Sequence, residues 1–165
     1  MSAHDYANAI TAYDAAVSLD VNDSALTAKY QSCVDTARSS LSDAVSSARS
    51  KLEAGQSYVS SRDWESAIET FRAGLAVDGV ADESLMSSLR GGLESAESSK
   101  RDGEAAALDA RSLLSEGEAA LASRSYAEAI SSLESALSLD VQDEVLKAKV
   151  DELLTIAGSG HSAQE

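Results

Sequence analysis

Apolar residues recur along this chain at spacings of three and four, which is the pattern of amphipathic helices. The pattern is clearest in three short stretches, residues 6–19, 64–77 and 126–139, and each predicts one helix. Longer stretches with the same period follow each of them. The pattern therefore predicts an all-α protein in which short helices alternate with longer helical segments.

The three short stretches repeat one another. Six positions match in every copy, and the spacing between these positions is the same in all three. The copies are Tyr6, Ala9, Ile10, Tyr13, Ala16 and Val17; Trp64, Ala67, Ile68, Phe71, Gly74 and Leu75; and Tyr126, Ala129, Ile130, Leu133, Ala136 and Leu137. Such repetition is typical of helical arrays, whose units bury their apolar faces against their neighbours.

Residues 1–165 are therefore predicted to form a single helical repeat array. Its approximate units are residues 1–45, which lack a leading helix, residues 46–107 and residues 108–165. Because the first unit is incomplete in this way, we expect the chain to be a fragment of a longer tandem-repeat protein.

An aspartate ends each turn that follows a short stretch, at Asp23, Asp82 and Asp143. Each lies three residues before a leucine, the spacing at which a carboxylate caps the first N–H groups of a helix. A calcium loop would need a glycine at its sixth position and a glutamate at its twelfth, and the turns beginning at Asp20 and Asp78 have neither. The aspartates are therefore predicted to be N-caps.

The two long stretches allow one continuous helix or two. Serine competes for backbone hydrogen bonds, so residues 38–40 and 98–103 are the candidate breaks. We expect breaks at both places, which would give three helices per unit.

Composition and charge narrow the function. The chain has no proline and a formal net charge of −15, from 28 acidic and 13 basic residues. Such acidity opposes binding to nucleic acids and anionic membranes. No apolar run approaches the roughly 20 residues of a membrane-spanning helix. We therefore expect an intracellular, cytoplasmic protein that binds no nucleic acid and inserts into no membrane.

The second and third copies resemble the tetratricopeptide repeat. A small residue in the preceding helix is followed by aromatic positions and then by the small and large residues of a second helix. The signature residues are Tyr6, Ala9, Ile10, Tyr13, Gly55, Tyr58, Trp64, Ala67, Ile68, Phe71, Gly117, Tyr126, Ala129, Ile130 and Leu133. The resemblance implies tandem helical hairpins stacked as an α-solenoid. Because one repeat of that family is about 34 residues long, each unit here would carry an extra or extended helix.

The sequence offers no constellation for catalysis, a cofactor or a metal, so we expect a non-enzymatic protein. The resemblance implies a protein–protein interaction scaffold whose partner is a protein, a peptide or a helix. The negative charge of the chain favours a basic partner. End-to-end self-association is a further expectation. The face that would receive the partner is predicted to contain Arg49, Glu53, Gln56, Arg111, Ser115 and Glu118.

Two alternatives stay open. In the first, the chain is a structural spacer, part of an elastic or filament-forming array. In the second, the hairpin and its third helix form a unit similar to the three-helix microtubule-interacting and trafficking domain, which binds helical peptides.

Overall fold

The computed structural model describes residues 6–19 and 23–163, and all the regular structure in these ranges is α-helical. The predicted all-α fold is confirmed. In chain order the helices are α1 (Tyr6–Ser18), α2 (Ser24–Ser60), α3 (Trp64–Leu75), α4 (Glu83–Ala122), α5 (Tyr126–Ser138) and α6 (Glu144–Ser162).

The short helices α3 and α5 begin at the residues that the sequence pattern predicts, and α1 is helical from the first described residue, Tyr6. They end one or two residues earlier than predicted, at Ser18, Leu75 and Ser138. The turns that follow lead into α2, α4 and α6. In the first of these turns, residues 20–22 lie outside the described residues.

The predicted N-caps are confirmed at the start of all three following helices. The side chain of Asp23 accepts hydrogen bonds from the backbone N–H groups of Ala25 and Leu26, at 3.0 and 3.1 Å. Each of the other two accepts from the leucine three residues on, at 3.0 Å. These are the pairs Asp82–Leu85 and Asp143–Leu146.

The long helices α2 and α4 are each continuous, so the predicted breaks and the three-helix unit are wrong. Elsewhere in the same helices hydroxyl groups bond to the preceding turn, since Thr36 donates to the carbonyl of Ser32 at 2.8 Å and Ser88 to that of Ser84 at 2.9 Å. Serine and threonine are thus accommodated within a continuous helix. Residues 38–40 and 98–103 also contain no left-handed residue that would redirect the chain. Among the described residues, positive φ occurs only at Arg62, Gly79 and Arg124, all in loops.

The long helices end in the same way. Arg62 and Arg124 adopt φ of 59° and 61°, and each follows a helix by two residues. Asp63 then donates its backbone N–H to the carbonyl of Tyr58 at 2.9 Å, and Ser125 donates to Ala120 at the same distance. This bond across six residues closes a Schellman-type helix end. The loops that follow α2 and α4 therefore share the same backbone conformation, as the helices share the same residue pattern.

The chain divides into two compact units, residues 1–97 and residues 98–165. In the first, α2 packs against both α1 and α3; in the second, α5 packs against α6. The core of the first unit contains Ala48, Ala67, Phe71, Leu85, Leu89 and Ala96. The core of the second contains Ala110, Leu133, Ala136, Val141, Leu146, Val150 and Leu153. The division of the sequence into three repeat units stays a prediction.

Removal of the cap at Asp82 tests the role of these aspartates. We expect Asp82→Ala to lower the free energy of unfolding by about 1 kcal/mol, because the first N–H groups of α4 lose their acceptor. Urea denaturation followed by circular dichroism measures this loss. The control is Asp102→Ala, at an exposed position inside α4, which should cost nothing because alanine is the better helix former. Equal losses in both variants would contradict the capping role.

Candidate interaction surface

A glycine in each long helix faces a large side chain of the next short helix. A Cβ added at Gly55 would lie 2.7 Å from Cδ1 of Phe71, and one added at Gly117 would lie 2.7 Å from Cγ of Leu133. Carbon atoms cannot approach so closely, so any larger residue would require the facing side chain or the helices to move. All four residues are buried, and both glycines precede their partners by the same distance along the chain. The two hairpins therefore share one packing contact.

The large side chain of the short helix also contacts the long helix that follows it. A Cβ at Gly92 of α4 would lie 2.7 Å from Cζ of Phe71, so two glycines flank this ring. When the caps Asp82 and Asp143 are aligned, Leu153 of α6 stands at the position of Gly92. Leu153 lies in the same core cluster as the smaller Leu133. The first unit thus combines a large residue with a glycine, Phe71 with Gly92, where the second unit has two residues of intermediate size, Leu133 and Leu153.

The predicted signature residues of α3 and α5 fall into two groups. Ala67, Phe71, Ala129 and Leu133 are fully buried. Residues at the edge of the seam are half-buried: Trp64, Ile68, Tyr126 and Ile130. Tyr58 is 39% exposed. The ring of Tyr126 lies against Gly160 of α6, a contact that the repeat pattern does not predict.

The same signature in α1 is left partly exposed. Tyr6, Ala9, Ile10 and Tyr13 are all half-buried, and no described residue of α1 is buried. On one side α1 packs against α2, where the rings of Tyr13 and Tyr30 lie 6.4 Å apart between centroids. The alanines equivalent to Ala9 in α3 and α5 have no exposed surface. In the described part of the chain, the other side of α1 thus lacks a covering helix.

The predicted receiving residues all lie on exposed helix surfaces. Arg49, Glu53 and Gln56 are exposed on α2, and Arg111, Ser115 and Glu118 on α4. Spacings of three and four place each triplet on one helix face. Arg111 is engaged locally, since its Nη2 lies 3.2 Å from Oδ2 of Asp143.

Two ion pairs occupy equivalent positions with opposite polarity. Asp14 of α1 pairs with Arg38 of α2 at 3.0 Å, and Arg72 of α3 pairs with Glu97 of α4 at 2.6 Å. In the repeat alignment the acid of each pair stands at the position of the base in the other. Both pairs are exposed, so each adds only about 0–1 kcal/mol. An exchange of partner helices would place like charges together, and the pairs therefore favour the native helix pairing.

Two exposed apolar side chains of α6, Val145 and Ile156, form another surface. Val145 is 82% exposed and Ile156 is 50% exposed. Leu108, which is 65% exposed, lies on a different helix, α4. Val145 and Ile156 are separated by close to three helical turns, so they lie on one face of α6. The equivalent residues in α4 are Ser84 and Ser95. This face of α6 is therefore more apolar than the repeat requires.

The described residues offer neither a metal cluster nor a membrane span. These ranges contain no group of three or more histidine, cysteine or acidic side chains that could hold a metal ion. Of the helices described, none has the length and apolar character needed to span a membrane. Comparison with family models, with curated proteins and with solved structures gives no match to this chain.

Two neighbouring glycines in α4 provide a matched test of the packing contact. We expect Gly91→Ala to stabilise the protein by about 1 kcal/mol, because a Cβ there meets no atom within 4 Å and alanine is the better helix former. Gly92→Ala should instead destabilise it by about 1–3 kcal/mol, because the new methyl group overlaps the ring of Phe71. Urea denaturation measures both effects.

The control replaces the ring of Phe71 by a smaller side chain, which relieves its overlap with the new methyl group. In a Phe71→Leu background the cost of Gly92→Ala should fall, and a double-mutant cycle gives the coupling between the two positions. The same effect of both alanine substitutions in the parent protein would show that the Phe71 contact does not limit the helix spacing.

Acid stability tests the cap of α6. The backbone N–H of Leu146, followed by the side chain of Arg111, holds the pKa of Asp143 below its usual 3.8. The carboxylate therefore stabilises the folded state above the unfolded pKa, and this stabilisation is lost as the pH falls through the folded pKa. We expect thermal unfolding to show that the advantage of the parent protein over Asp143→Asn shrinks between pH 6 and pH 3.

Asparagine keeps a capping oxygen, whereas Asp143→Ala removes the cap at every pH. The alanine variant should therefore be less stable than the asparagine variant across the range. An advantage of the parent protein that stays constant down to pH 3 would contradict the role of the charged carboxylate.

Proposed function

We propose that this protein is a non-catalytic interaction scaffold built from tetratricopeptide-like helical hairpins. The C-terminal half of α2 with α3, and that of α4 with α5, would form the hairpins. The N-terminal halves of the long helices would be the extended segment of each unit. The shared Gly55–Phe71 and Gly117–Leu133 contacts support this assignment, since both hairpins are built around the same close approach.

The observation that favours binding is the apolar face of α6. Val145 and Ile156 stabilise the fold less than buried side chains would, because 82% and 50% of their surfaces remain exposed to water. Paired apolar side chains three turns apart on a helix offer anchoring points for an amphipathic helix. The net charge of −15 favours a basic partner and speeds its association. The partner class proposed is therefore a basic amphipathic helix.

A library of basic helical peptides, with scrambled controls, tests this function. The scaffold should retain a related group of sequences. The double variant Val145→Ser with Ile156→Ser should weaken their binding by about 10-fold or more, as lost apolar burial predicts. Fluorescence polarisation measures the affinity. Leu108→Ser, at an exposed apolar position on α4, is the matched control and should change nothing.

The length of the helices favours a second candidate, a structural spacer. The 37 residues of α2 extend for about 55 Å as one unbroken helix. A spacer needs such rigid length and no specific ligand. Failure of the library to enrich any group of sequences would support the spacer and exclude the basic-helix scaffold.

A further inference from the structure

The helix that covers each buried short helix has a defined pattern. In α2 the covering residues are Ala48, Leu52, Gly55 and Val59, and in α4 they are Ala110, Leu114, Gly117 and Leu121. Both sets read Ala-x3-Leu-x2-Gly-x3-Val/Leu. The alanine and glycine allow close approach, and the two larger residues fill the seam on either side of the glycine. The same spacing therefore marks the same kind of helix–helix interface in both places.

The short helix α1 has the residues that receive this pattern. Tyr13 stands at the position of Phe71 and Leu133, and Ala9 at that of Ala67 and Ala129. The four equivalent residues in α3 and α5 are fully buried, whereas Tyr13 and Ala9 are half-buried. The difference in burial shows that the side of α1 that carries Tyr13 and Ala9 is open. The interfaces of α3 with α2 and of α5 with α4 show what kind of helix would cover it.

We propose that the open side of α1 is a docking site for an amphipathic helix with the pattern Ala-x3-Leu-x2-Gly-x3-Val/Leu, its glycine seated on Tyr13. The site extends the proposed scaffold function to a second partner class but uses no residue of α6. Either proposal can therefore fail alone. The two copies of this pattern in the chain, in α2 and α4, are already packed against α3 and α5. The proposed occupant is therefore a helix of another protein.

The residues of α1 also indicate whether the docked helix should resemble α2 or α4, which differ at the position of Lys51 and Leu113. In α3 the covering helix meets Gly74, where an added Cβ would lie 3.1 Å from Cβ of Lys51. In α5 the equivalent residue is Ala136, and Leu113 packs against the core cluster that contains it. The equivalent residue in α1 is Ala16. The docked helix should therefore resemble α4, with a leucine rather than a lysine over Ala16.

A synthetic peptide of residues 106–123 is the probe that follows. Added to the full chain labelled with ¹⁵N, it should bind saturably and shift amide resonances of α1. Both components are acidic, so the titration is made at about 0.15 M salt, where the Debye length is about 8 Å and repulsion is screened. A peptide with Gly117→Leu should bind at least about 10-fold more weakly, because the added side chain meets Tyr13.

Protein variants locate the contact. Ala9→Glu should weaken peptide binding by about 10-fold or more, since it places a charge in the seam. Ala7→Glu, which places the same charge at an exposed position on the opposite side of α1, is the matched control and should leave the affinity unchanged. If Ala9→Glu unfolds α1, the resonance shifts in the parent protein still decide whether the peptide binds there.

Four results would overturn the proposal. The first is absence of saturable binding up to a peptide concentration of about 1 mM. The second is equal affinity for the parent and Gly117→Leu peptides. The third is a set of shifts confined to α5, which would mean that the peptide displaces its own counterpart in α4. The fourth is concentration-dependent dimerisation that Ala9→Glu abolishes, which would assign the site to a second copy of the chain instead.

Discussion

The close approach of a glycine to a large side chain is the constraint on which the rest of the fold depends. Phe71 lies between Gly55 and Gly92, and Leu133 lies against Gly117. In a chain rich in alanine and serine, few large residues are available to fill a core. Thin glycine contacts bring the backbones close enough for small side chains to exclude water between them. The spacing of the helices is therefore set by a handful of positions.

Weaker interactions then decide which helices pair and where they begin. The Asp14–Arg38 and Arg72–Glu97 pairs have opposite polarity at equivalent positions, so they discriminate between similar hairpins that packing alone would confuse. The caps at Asp23, Asp82 and Asp143 fix the start of each helix that follows a short one. Repetition makes mispairing a particular hazard, and these polar features oppose it.

The open surfaces have different physical origins. On α1, residues such as Tyr13 that belong to the repeat interior remain half-buried because only α2 packs beside them in the described part of the chain. On α6, Val145 and Ile156 replace serines of the equivalent segment of α4. The first surface fits a helix of the repeat type. The second has no counterpart in the repeat, which is why its proposed partner is defined by charge and amphipathicity.

The helical class, the first residues of α3 and α5 and the capping aspartates could all be predicted from the order of residues, because helical period and capping depend on neighbours along the chain. The order of residues did not determine that α2 and α4 are continuous, since the serines near residues 39 and 99 are compatible with a turn as well as a helix. The tertiary structure alone separated Gly92, which meets Phe71, from Gly91, which meets nothing. It also alone distinguished the half-buried Tyr13 from the buried Phe71, because burial depends on which helices lie alongside and the repeat pattern is the same at both.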